Sequence, residues 1–88
     1  MEFEWDETKN ATNLAKHRVS FEFAGQFFWD QAIIEPDLRK DYGEERFIAR
    51  GRASDGLGYH VVFTTREGRL RLITMRRFSR KDYIRYGR

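Results

Sequence analysis

Between Arg66 and Arg77 the sequence places five arginines on a segment whose apolar residues alternate as in a sheet strand. A guanidinium group is permanently charged, planar and shaped to grip a phosphate through two parallel hydrogen bonds. A strand bearing several of them is a candidate anion-binding surface; the competing explanation is an edge strand kept soluble by charge. Two further groups could act with these cations. One is His17, at the end of an N-terminal helical pattern, and the other is Glu44, at the head of the alternating run EERFIARGR. RNA can be cut with that set and no metal, because its 2′-hydroxyl is a nucleophile already lying beside its own phosphate. The protein must then take the hydroxyl proton, protonate the leaving 5′-oxygen and stabilise a phosphorane-like transition state. On this reading His17 and Glu44 share the proton work, and Arg46, Arg71 and Arg76 stabilise charge. DNA, which lacks the 2′-hydroxyl, is spared.

The charge distribution supports a polyanionic partner. Residues 66–88 hold nine Lys and Arg against Glu67 and Asp82, whereas the first 65 residues hold eight against twelve acids. Such asymmetry directs the basic end of a chain toward nucleic acid or an acidic surface. The sequence has no glycine-rich phosphate loop, no Ser/His/Asp series and no aromatic motif of the RNA-recognition type. With no Cys and two His, neither a disulfide framework nor a structural zinc site is expected, and no cofactor is implied. No apolar run approaches the roughly 20 residues of a membrane span, and the opening MEFEWDE is acidic where a signal peptide is basic. A cytoplasmic protein without membrane association is the expectation. Eight Phe, four Tyr and two Trp must supply the core, and one domain spanning residues 1–88 is expected.

The elements that must position these groups read as follows. EFEW is a short strand with Phe3 and Trp5 inward, and Asp6 caps a helix ending near His17. Lys9, Asn13 and His17 are four residues apart and form a polar stripe beside Lys16. Ser20 caps a second helix, FEFAGQFFW, in which Phe23 and Phe27, and Ala24 and Phe28, pair at helical spacing. Ile33 and Ile34, just ahead of the only proline, suggest an edge strand running into a charged loop. A strand from Glu44 to Arg52 puts Glu44, Arg46, Ile48, Arg50 and Arg52 on one side. Ser54–Gly56 and Glu67–Gly68 are turn signals flanking the sheet-prone LGYHVVFTT, so three strands form an antiparallel meander. In the last of these, Leu70, Leu72 and Thr74 would face one way and Arg69, Arg71, Ile73 and Met75 the other. Arg71 and Arg76 then lie on opposite faces unless a bulge intervenes, and an irregularity near Met75 is expected. Ser79 caps a final basic helix. The fold class is α+β, an antiparallel sheet with two N-terminal helices and one C-terminal helix.

The segment FEWDETKNATNLAKHRVSFEFAGQFF resembles the opening pattern of the BrnT toxin family, F-x-W-D-x-x-K-x-x-x-N-x-x-K-H-x-V-S-F-x-x-A. The resemblance continues through Gly43, Glu44 and Arg46, through RLITMR and into the closing SRKDYIRY. Arg18 stands where glycine is common in the pattern, and Met75 where alanine is common. The resemblance implies a type II toxin: a small ribonuclease of RelE-like architecture that halts translation by cleaving RNA. It further implies neutralisation by a BrnA-type antitoxin, through which alone the complex would reach operator DNA, and allows a toxin dimer within that complex. The polar residues of the family motif fall on Lys9, Asn13, Lys16, His17, Glu44, Arg46, Arg71, Arg76 and Arg80. Arg50, Arg69 and Arg77 join Lys9, Asn13, Lys16 and Arg80 as expected RNA contacts. The alternative is a noncatalytic nucleic-acid-binding or co-repressor module using the same arginines to hold phosphates.

Overall fold

Aspartate and serine caps begin the two α-helices, and alternation sets the strands. In a computed structural model, whose described residues are 1–87, the chain runs β1 (Phe3–Glu4), α1 (Glu7–His17), β2 (Ile33–Pro36), β3 (Phe47–Arg52), β4 (Gly58–Arg66), β5 (Arg69–Arg77) and α2 (Arg80–Tyr86). Arg88, counted above among the basic residues, lies outside the described residues. The Asp6 side chain accepts from the Thr8 N–H at the start of α1. Ser79 and Asp82 form a reciprocal capping box on α2. At the C-terminus of α1, Arg18 takes a left-handed conformation, φ 60°, a geometry that glycine adopts without strain.

The five strands are ordered β1-β5-β4-β3-β2, with β4 in the middle and β2 at an edge, as the sequence suggested. β2, β3, β4 and β5 pair antiparallel, and the turn into β5 has both Glu67 and Gly68 at positive φ, a geometry matched to strand twist. β1, however, pairs parallel to β5, Phe3 with Leu70 and Glu4 with Arg71. The sheet is therefore mixed rather than wholly antiparallel. A two-residue strand carries no pattern from which its direction could be read.

The expected second helix is also corrected. Phe21–Gln26 is a 3-10 turn capped by Ser20, followed by a second such turn at Trp29–Gln31. Phe27 leaves helical geometry to bridge Ala53, so the four-residue aromatic pairs are not formed and Phe28 is exposed. β3 starts at Phe47, three residues later than expected, because residues 37–46 are a built loop. There the buried Asp37 carboxylate accepts two hydrogen bonds from the Arg39 guanidinium and one from Tyr42. The Arg39 bonds hold its carboxyl far below the usual range despite burial.

One face of the sheet is the core. Val19, Phe21, Ala24 and Phe27 pack on Ala49, Tyr59, Val61, Phe63, Leu72 and Met75, all buried. Phe21 has no exposed surface, and its burial alone contributes about 2–3 kcal/mol. Leu72 and Met75, three residues apart, both face this core, which a regular strand forbids. The reason is a bulge: Phe63 pairs with Leu72 and Val62 with Thr74, leaving Ile73 as an extra residue. The expected face assignment for Thr74 and Met75 is thereby exchanged. The anticipated irregularity exists, two residues before Met75.

Candidate functional site

The bulge determines what the other face of the sheet presents. Beyond Ile73 the parity of β5 flips, so Arg71 and Arg76 share the face opposite the core. Cross-strand register arranges that face in rows. Arg50, His60 and Arg76 are directly opposed on β3, β4 and β5. Ile48, Val62 and Thr74 form the next row, and Thr64 with Arg71 and Glu4 the one after. Arg46, one residue ahead of β3, continues the parity of Ile48 and Arg50. The Arg71 and Arg76 rows are thus separated by an aliphatic band, and the ends of the face lie roughly 13 Å apart along the strands.

Nearly every arginine here has a carboxylate partner. Arg71 reaches Glu4 at 2.7 Å; Arg69 reaches Glu2 at 3.1 Å and Glu4 at 3.7 Å. Arg46 pairs with Glu44 at 3.1 Å and lies 4.2 Å from the Tyr42 ring centre. Arg50 pairs with Glu35 at 3.5 Å, and Arg76 with Asp82 at 3.1 Å. The Arg71 hydrogen bond holds Glu4 below its ordinary carboxyl value. Such solvent-screened pairs add little stability, so their effect is to aim the guanidinium groups while leaving other N–H donors for a ligand.

Two residues not singled out from sequence sit at the centre of the Arg76 row. His60 is 7% exposed. Its Nδ1 accepts a hydrogen bond of 3.2 Å from Arg50 Nε. Because arginine only donates, Nδ1 is unprotonated and the neutral ring carries its proton on Nε2. That atom lies 3.1 Å from Asp82 Oδ2, off the line of a straight hydrogen bond. Burial lowers the His60 pKa, opposed by Asp82 and aided by Arg76 and Arg50. Burial would raise Asp82, but hydrogen bonds from the Ser79 backbone N–H and Arg76, with the His60 Nε2–H close by, hold it well below its usual value. In sequence His60 is embedded in an apolar run and reads as core. Its strand parity with Val62 and Thr64, away from Tyr59 and Val61, was the available signal.

Beside β5, a groove against α1 collects Lys9, Lys16, His17 and Thr74. His17 is half-buried, and its pKa is lowered by desolvation and then by Lys16 and Arg76, which places it in the electrostatic reach of the Arg76 row. Arg77 Nη1 donates to the His17 carbonyl at 3.4 Å. The expected polar stripe on α1 is therefore real, except for Asn13. That side chain is 4% exposed and bonded to Val19 and to both backbone groups of Met75, so its amide is committed to holding the fold. Arg80 is exposed at the first turn of α2. A second correction concerns Glu44. It contacts Arg46 and Arg66 at the far end of the face, whereas His17 lies by Arg76 and Arg77, so the two are not brought together as a proton-transfer pair. Among the described residues no three His, Asp or Glu side chains converge as metal ligands.

A buried neutral imidazole, a second imidazole at a helix end and a row of aimed guanidinium groups form a surface suited to a phosphodiester. Comparison with known proteins agrees with that chemistry. The sequence profile of a family described as "Ribonuclease toxin, BrnT, of type II toxin-antitoxin system" matches residues 5–82. The fold is similar to the 1.1 Å crystal structure of the Brucella abortus ribonuclease toxin BrnT, with a TM-score of 0.68 and 30% identity, covering 91% of this chain and 99% of that one. No curated protein sequence matches the chain. On the extent of the profile match, this chain belongs to the BrnT family of ribonuclease toxins of type II toxin–antitoxin systems.

Proposed function

We propose that the chain, as a single toxin domain of RelE-like type, cleaves RNA through its 2′-hydroxyl without a metal ion and so inhibits translation in the cytoplasm. The observation that carries this is the Arg50–His60–Arg76 row with His17 in the groove that reaches Thr74 of the same strand. Arg76, held by Asp82, stabilises the charge that develops on the phosphorane, and His60 holds Arg50 beside it. His17, with a pKa lowered by burial and by its cationic neighbours, is fit to accept the 2′-hydroxyl proton; the 2′-oxygen bonds phosphorus as the bond to the 5′-oxygen breaks, and the departing 5′-oxygen takes its proton from solvent water. Arg71 and Arg46 hold the backbone on the far side of the aliphatic band, with Glu44 orienting Arg46. Lys9, Lys16, Arg50, Arg69, Arg77 and Arg80 add phosphate contacts.

Family membership implies an antitoxin partner. We take it to be BrnA-type, covering the basic face so that RNA is excluded and operator DNA is reached only through the antitoxin, with a toxin dimer in the complex as one arrangement. Expression of His17→Ala, Arg71→Ala and Arg76→Ala variants tests the site. Each, still folded by circular dichroism, should lose growth arrest; full toxicity in all three would place the chemistry elsewhere.

A further inference from the structure

Between the end of β3 and α2 lies a cavity of about 300 Å³ that the residues chosen from sequence, Arg50 apart, do not touch. Arg50, Arg52 and Arg85 line it against one carboxylate, Glu35, and Phe78 and Tyr86 form its apolar wall. The Arg50 guanidinium is 4.2 Å from the Tyr86 ring centre, and that of Arg85 is 5.5 Å from it. We propose that this cavity is a nucleotide subsite, receiving the base and phosphate that neighbour the scissile linkage; the proposal rests on the RNA-cleavage reading above.

Three features support a nucleotide over a bare anion. An arginine laid over an aromatic ring presents flat, weakly hydrated surface on which a base of any identity can stack. Arg52 and Arg85 are exposed and add cations at the mouth, where a phosphate would enter. Position is the third. Arg50 belongs both to this cavity and to the Arg76 row, two inter-strand spacings or about 10 Å across the sheet. An RNA whose cleaved phosphate sits at Arg76 therefore carries an adjoining nucleotide past Arg50. The wall is fixed by Gly58: any Cβ there would run into the Phe78 ring, so only glycine lets Phe78 turn inward beside His60.

The test is amide chemical-shift mapping of the full chain with adenosine 5′-monophosphate and, separately, inorganic phosphate. The nucleotide should perturb Gly51, Arg52, Tyr86 and Gly87 and bind at least about tenfold more tightly than phosphate. The double variant Arg52→Ala, Arg85→Ala should weaken it about tenfold, and Tyr86→Leu should weaken the nucleotide but not phosphate. Equal affinities for the two ligands, or shifts confined to the Lys9–His17 groove, would overturn the subsite. RNA cleavage by the same preparation keeps the two readings apart. A chain that cuts RNA but shows no shifts at the cavity lacks the subsite alone, whereas cavity shifts without any cleavage defeat the nuclease reading.

Discussion

Asn13 grips the backbone of Met75 from both sides, donating to its carbonyl at 2.8 Å and accepting from its N–H at 3.1 Å. A side chain thus continues the sheet edge where β1 has ended, and a third bond to the Val19 carbonyl at 2.9 Å ties in the chain after α1. Asn13→Ala would strand buried polar groups, each costing about 1–3 kcal/mol. The variant should therefore lose roughly 2–4 kcal/mol by chemical denaturation. If its stability equals that of the parent while RNA binding falls, Asn13 contacts RNA and the structural role assigned to it is wrong.

Glu4 and Arg71 are 67 positions apart in sequence and 2.7 Å apart in space. Neutralising the acid should release the cation: Glu4→Gln is expected to tighten single-stranded RNA binding and steepen the log–log salt dependence by about 0.7, while Arg71→Ala flattens it by a similar amount. Fluorescence anisotropy across a salt series measures both slopes. Identical slopes in the two variants would mean that Arg71 does not face the RNA.

The buried His60 and the half-buried Asp82 titrate with opposite charge but shift stability in the same pH direction. His60 is held below its ordinary value of about 6.5, so the unfolded chain takes up the proton first as pH falls. Its contribution is complete above about pH 6.5 and declines toward the lower folded value, by roughly 1 kcal/mol per unit of that window. Asp82, also held low, contributes fully above about pH 4 and is lost below it. Denaturant unfolding at pH 7.5, 6.5, 5.5 and 4.5 should show the parent weakening from pH 6.5 downward and His60→Phe keeping only the shallower slope that His17, also held low, contributes. Asp82→Asn should cost about 1–3 kcal/mol at pH 7 through the capping box and its Arg76 bond. A parent whose stability is flat between pH 7.5 and 5 would show that His60 is not buried in its neutral form.

These residues also indicate what a sequence can reveal. Alternation and the Glu67–Gly68 turn made β4 and β5 legible, because side-chain parity and positive-φ turns are local properties. The arginine conflict even predicted its own remedy, since Arg71 and Arg76 needed a bulge to share a face. Long-range features were not legible. Nothing near Glu4 announces that it will neutralise Arg71, and nothing near Asp82 announces His60. The helical spacing of Phe23 with Phe27 misled because Phe27 bridges Ala53, a tertiary contact that overrides a local pattern. Asn13 looked like a solvent-facing ligand because a polar residue on a helix usually is one.

The central claim is that this face breaks an RNA linkage using the 2′-hydroxyl, and end-group analysis of cleaved RNA tests it most directly. Purified protein incubated with a single-stranded RNA in EDTA should yield fragments ending in 2′,3′-cyclic phosphate, while the all-deoxy oligonucleotide of the same sequence stays whole. Intact RNA in EDTA, or cleavage of the deoxy strand, would contradict it.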